Sequence, residues 1–157
     1  MRIAIGSDFC PVGPIGVGCQ NADTQAVFGD LLSDLHEADL AVLNLECPLI
    51  TEETPIAKSG PVLGVAHDHV NVLPAAGFHL VGLANNHAMD HGAKGLASTI
   101  AACEAAGLTC FGGGPDLNAA RQVKVREVNG CRVGFLGMAE HEFGIAQHDK
   151  WGAKPQG

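Results

Sequence analysis

Two carboxylates, a carboxamide and an imidazole stand in matching places in this chain, each just beyond a short apolar run. Asp8 follows IAIGS, Glu46 follows LAVLNL, and Asn86 and His87 follow HLVGLAN, with Asp90 and His91 close behind in LANNHAMDHG. Carboxylate and amide oxygens with an imidazole nitrogen suit a hard or borderline divalent cation such as Mn, Fe, Mg or Zn. Carboxylates crowded on one rim also need a cation or a shared proton to offset their repulsion. The segment around His87 therefore reads as one wall of a metal site, with Asp90 placed to hold His87 from behind.

The elements that must position these groups alternate. Arg2–Ser7, Leu40–Leu45 and Phe78–Ala84 are short apolar strands of the kind buried in a parallel sheet. Phe28, Leu31, Leu32 and Leu35 fall at i, i+3, i+4 and i+7, one face of a helix that Asp23 or Thr24 would cap. CPVGPIGVG reads as a Gly/Pro-rich loop, residues 51–65 as an irregular loop, and His69–Ala76 as a short helix closed by Gly77. Gly92–Ala106 is helical with Leu96, Ile100 and Cys103 on one face; LTCF is a strand, and GGGPD turns into a helix. Asn129-Gly130 between Val123–Val128 and Cys131–Gly137 is a hairpin signal. The fold class is α/β, with layered sheet and helices, mainly parallel strands and an antiparallel pair near the C-terminus. Ligands of such sheets bind at the carboxyl ends of the strands, where Asp8, Glu46, Asn86 and His87 would share one rim.

Bulk properties exclude several classes. The 157 residues suit one domain, and the tail HDKWGAKPQG ends without a terminal element, as if 1–157 were the first part of a longer domain. A formal net charge of -8, no Lys/Arg cluster and 4% aromatics argue against nucleic acid as a partner. None of the six cysteines forms a Cys-x-x-Cys pair, and several sit in apolar patterns as reduced buried thiols. No leader-like or membrane-spanning apolar run is visible, so the chain as given is expected to be cytoplasmic.

GSD, NLE and LANNHAMDHG, in that order, resemble the capsule-synthesis CapA (poly-gamma-glutamate biosynthesis) family, similar in fold to the calcineurin-like metallophosphoesterases. The resemblance continues through GLASTIAACEAAGLTCFGGGPDLNAARQ and VKVREVNGCRVGFLG. It implies that Asp8 and Glu46 ligate metal, with Glu46 bridging two ions and Asn86 on the second ion. It implies that His87 is the proton donor or transition-state stabiliser. The reaction implied is hydrolysis of a phosphate ester by a two-metal-bound hydroxide, on a phosphorylated small molecule or a polyanionic polymer. Two departures open a second reading. Asp8-Phe9-Cys10 lacks the histidine of the superfamily's Asp-x-His motif, and no downstream His-Gly segment follows. A non-catalytic binding or assembly module of polyanion synthesis, with a degraded metal site, stands beside the hydrolase.

Plainer roles stand beside these. Asp8 alone would cap a turn, Asn85 or Asn86 would cap the next helix, and Asp90 and His91 would sit in its first turn. Glu140-His141-Glu142 reads as a solvated loop, and His67-Asp68-His69 as a capping Asp between surface histidines. GPIGVG has the wrong order and place for a dinucleotide loop.

Overall fold

The computed structural model describes residues 1–140. In chain order the strands are β1 (Ile3–Phe9), β2 (Leu40–Leu45), β3 (Leu49–Ile50), β4 (Val65–Ala66), β5 (Leu80–Gly82), β6 (Thr109–Phe111), β7 (Lys124–Val128) and β8 (Cys131–Phe135). The α-helices are α1 (Gly13–Gln20), α2 (Thr24–Phe28), α3 (Leu31–Glu37), α4 (Val72–Ala75), α5 (Gly92–Ala105) and α6 (Leu117–Ala120). A 3-10 turn, His67–Asn71, leads into α4. A four-stranded sheet of order β1-β2-β5-β6 forms the centre, and each of its pairings is parallel.

The parallel arrangement explains the composition of β2. It lies inside the sheet, and all of LAVLNL is buried except Asn44, which is half-buried. Strand β1 is an edge, and its Ile5 is 80% exposed. The helices cover one face, where Leu43, Val81, Leu73, Leu96 and Cys103 share the main core. The other face carries a smaller cluster in which Val128 of the hairpin packs with Leu40, Val42 and Leu80.

Helix α5 shows how sequence spacing sets this packing. Its buried residues, Gly95, Leu96, Thr99 and Cys103, make one stripe. Thr99 accepts a hydrogen bond from Leu49 N at 2.9 Å and donates to Gly95 O at 2.8 Å, so the helix also holds β3. Gly107, at φ 82°, supplies the left-handed turn that ends the element. The hairpin turn forms as expected, with Asn129 at φ 50° and Gly130 at φ 76°.

Local expectations fail in three places. The single helix expected through Phe28 and Leu35 is two helices, α2 and α3, broken where Gly29 takes φ 53°. Asp23 does cap α2, accepting from Ala26 N at 3.0 Å. The Gly/Pro-rich segment is not a loop but helix α1, because Pro14 stands in the first turn, where its missing N–H is no loss. Gly16 and Gly18 stay bare there since a Cβ would meet Pro11 O and Val27 at 2.7 Å. The segment after β2 contributes β3, which pairs in parallel with β4 at the far end of the long loop. Among the described residues no helix is long and apolar enough to cross a membrane.

Candidate functional site

The site is built at the carboxyl ends of β1, β2 and β5. Strand β1 reaches it through a bulge. Ile5 pairs with Val42, but Asp8 pairs with Asn44, so three steps on β1 oppose two on β2. Side chains alternate faces along a strand, so the extra residue turns Asp8 onto the face of Asn44. Asn44 Nδ2 donates to Asp8 Oδ1 at 2.7 Å. The Asp8 carboxylate is otherwise open to solvent.

A one-way chain of amides continues from there. Asn85 Nδ2 donates to Asn44 Oδ1 at 3.1 Å and to Leu45 O at 3.0 Å, and Asn85 Oδ1 accepts from His87 N at 3.0 Å. A carboxylate only accepts, which fixes the orientation of both amides. Asn85 is buried, whereas Asn86 next to it is exposed and makes no side-chain hydrogen bond among the described residues. The expectation that one of these asparagines caps α5 is corrected: the N-cap is His91, with no side-chain capping bond, because Asn85 spends its amide on β2. Asp90 also lies before the helix and is fully buried.

His87 is held on both sides. Its Nδ1 lies 2.7 Å from Asp90 Oδ2, and the carboxylate makes Nδ1–H the donor. Its Nε2 lies 3.9 Å from Glu46 Oε1. Glu46 follows β2, its N–H donates to Phe9 O at 3.1 Å, and its side chain is 25% exposed. Asp90 is completely enclosed and accepts two further hydrogen bonds. Leu63 N donates to Oδ2 at 2.7 Å, and the ammonium of Lys58 donates to Oδ1. The Lys58 side chain is only 5% exposed. Removing one partner of such a buried pair costs about 3–5 kcal/mol, because the other charge stays buried.

Of the residues expected from sequence, Glu46, His87 and Asp90 form one contiguous cluster. Asp8 joins through Asn44 and Asn85, and Asn86 occupies the exposed position between Asn85 and His87. Asn44 and Lys58 were missed. The signal for Asn44 was in NLE, a polar residue inside a buried strand. Lys58 carried none, since nothing local tells a buried lysine from a solvated one. Of Glu140-His141-Glu142, His141 and Glu142 lie outside the described residues. His67 and Asp68 are exposed in the 3-10 turn, apart from the rim.

The oxygen donors expected at these strand ends are the carboxylates of Asp8 and Glu46 and the amide of Asn86. Among the described residues no three His, Cys, Asp or Glu side chains gather as a ready cation site. Cys10 stands where a histidine was wanted, and burial, with a further push from nearby Glu46, raises its thiol above the usual range. Burial and the neighbouring Cys10 raise Cys47 further. By their chemistry the oxygens of Asp8, Glu46 and Asn86 would suit a hard divalent ion.

An apolar cavity of about 340 Å³ adjoins the site at the ends of β5 and β6. Leu83, Met89, Leu96 and Leu117 line it, Asn85 is shared with the rim, and Arg121 brings a cation.

Comparison with known proteins identifies the family. Residues 4–157 match the family described as bacterial capsule synthesis protein PGA_cap. The capsule biosynthesis protein CapA of Bacillus anthracis is 32% identical over 120 residues, covering 74% of this chain and 29% of that protein. A probable polyglutamine synthesis accessory protein, found in two strains of Mycobacterium tuberculosis, is 35% identical over 131 residues, covering 81% of this chain and 34% of each protein. The chain thus spans about a third of the length of these relatives. With a match over nearly its whole length, the chain belongs to the bacterial capsule synthesis PGA_cap, or CapA-like, family.

Proposed function

We propose that this chain carries the reactive rim of a divalent-metal-dependent phosphoester hydrolase serving capsule or poly-gamma-glutamate synthesis. The observation that carries the reading is His87. Its ring is held at Nδ1 by buried Asp90, and its Nε2 lies 3.9 Å from the partly exposed Glu46. An imidazole oriented by a carboxylate is the arrangement a general acid needs.

In this reading Asp8, Glu46 and Asn86 hold the ion, which when bound supplies Lewis-acid polarisation and a nucleophile at neutral pH. His87 Nε2 passes a proton to the leaving oxygen, and Asp90 keeps the ring from turning. The apolar cavity takes the non-reacting part of the substrate, and Arg121 meets an anionic group on it. The substrate class is a phosphorylated small molecule or a phosphorylated end of a polyanionic polymer.

The test is metal analysis after dialysis, with turnover of a generic phosphomonoester and phosphodiester in added Mn. Binding of at least one ion per chain, lost with turnover in Glu46→Gln, is the expected result. Unchanged metal content in Glu46→Gln removes Glu46 from the ligand set.

The second reading is a non-catalytic binding or assembly module. Cys10 at the position of the superfamily's histidine favours it. Absence of both metal and turnover, with measurable binding of poly-gamma-glutamate, would select it.

A further inference from the structure

The loop of residues 51–64 between β3 and β4 is fastened at one place. Thr54 N donates to His91 Nδ1 at 2.9 Å, and Thr54 Oγ1 donates to His91 O at 2.8 Å. Ile56 N donates to Asp90 O at 2.9 Å, and Leu63 N to Asp90 Oδ2 at 2.7 Å. Each of these bonds ends on the two residues behind His87. Between them Ala57, Ser59 and Gly60 face solvent, while Lys58 turns inward.

A buried lysine is an inefficient way to stabilise a loop. Well-packed apolar side chains in place of a buried ion pair are often neutral or better. The placement of the ammonium gives a different reason. It donates to Asp90 Oδ1 and approaches His87 Nδ1 to 3.3 Å. Both groups are donors, so the second approach is a contact and not a hydrogen bond. Oδ1 is thereby occupied, and Oδ2 is left for the imidazole and Leu63 N. Without the ammonium, Asp90 would have a free oxygen and an unopposed buried charge, and its carboxylate would be free to turn away from the ring.

We propose that Lys58 is a positioning residue for His87: it locks the Asp90 carboxylate in the orientation that holds Nδ1–H, so that Nε2 faces Glu46 only while loop 51–64 is fastened. The residue acts through Asp90 and touches neither substrate nor ion. The proposal rests on His87 as the acting imidazole, but its first readout does not need activity.

The experiment compares Lys58→Met with the unaltered protein. The imidazole N–H signals are followed by nitrogen-edited NMR, that of His87 being assigned by its loss in His87→Gln. Methyl spectra report on the fold. In the unaltered protein the His87 Nδ1–H is expected to exchange slowly, held 2.7 Å from buried Asp90 Oδ2. In Lys58→Met it is expected to broaden or vanish while core methyl signals stay in place. With a phosphoester and Mn, kcat is expected to fall about 10–100-fold, the usual effect of losing an outer-shell partner, with KM nearly unchanged. Lys58→Arg, which keeps the charge, should restore part of both. An unchanged His87 signal in folded Lys58→Met overturns the proposal. Should that variant not fold, Lys58→Gln, polar but too short to span to Asp90, is read in the same way. If no form of the protein turns over substrate, the hydrolase reading fails, and the ring signal alone decides the role of Lys58.

Discussion

Replacing Asn85 by Ala separates scaffold from ligand within one asparagine pair. Asn85 makes three side-chain hydrogen bonds, to Asn44 Oδ1, to Leu45 O and from His87 N. The side chain is buried, so truncation leaves Leu45 O and His87 N without those partners. Each such bond contributes about 1 kcal/mol net, and an orphaned buried group costs about 1–3 kcal/mol. The expected loss is about 3 kcal/mol. For a chain of this size that lowers Tm by about 6–12 °C, at about 2–4 °C per kcal/mol. Asn86 is exposed and makes no side-chain hydrogen bond among the described residues, so Asn86→Ala should stay within about 0.5 kcal/mol. The assay is urea unfolding of metal-free protein, with the slope checked so that a shifted midpoint reports stability alone. Equal losses for the two variants, or less than about 1 kcal/mol for Asn85→Ala, would refute the assignment of Asn85 as the hub of the rim. Adding Mn should then stabilise the unaltered protein more than Asn86→Ala, if Asn86 contributes to ion binding.

Other substitutions test the supports of the site. Thr99→Val keeps the shape of α5 but strips Leu49 N of its partner, and should cost about 1–3 kcal/mol in the same unfolding assay. Gly95→Ala would put a Cβ 2.4 Å from His91 Cβ, so it should destabilise by about 1–3 kcal/mol and loosen loop 51–64, read as faster proteolysis within that loop. His79 gives a pH dependence. Its Nδ1 accepts from Ala41 N at 3.1 Å, which needs an unprotonated nitrogen. Burial, with nearby Arg126, depresses its pKa below the ordinary 6.5. The stability it contributes is therefore complete above pH 6.5 and is lost as pH falls through the depressed folded value. Tm should drop more steeply below pH 6.5 in the unaltered protein than in His79→Gln; parallel profiles would remove His79 from the account.

Family, fold class and most of the rim were legible in the sequence for a local reason. An apolar run followed by Asp, Glu or Asn-His is read without knowing the fold, and the carboxyl-end rule for parallel sheets brings such residues together. Asp90 was legible as the support of His87 because three residues along a tight turn keep two side chains in reach. The division of α2 from α3 was not, since Gly29 interrupts an apolar spacing that itself looks continuous. Nor was α1, whose glycines are required by neighbours far along the chain.

What the sequence by itself determined is which residue types end each strand, because strand and helix periods are local properties. The tertiary structure decided how those residues face one another. The β1 bulge sets the face of Asp8, and without it Asp8 and Asn44 would point to opposite sides of the sheet. Asn85 was assigned to β2 and not to the helix it precedes, because Leu45 O and Asn44 lie within its reach only once β2 and β5 are side by side. Lys58 was brought across 32 positions of sequence to Asp90, a pairing that depends on the path of loop 51–64. Long-range pairing is a property of the folded path, and neither composition nor spacing encodes it residue by residue.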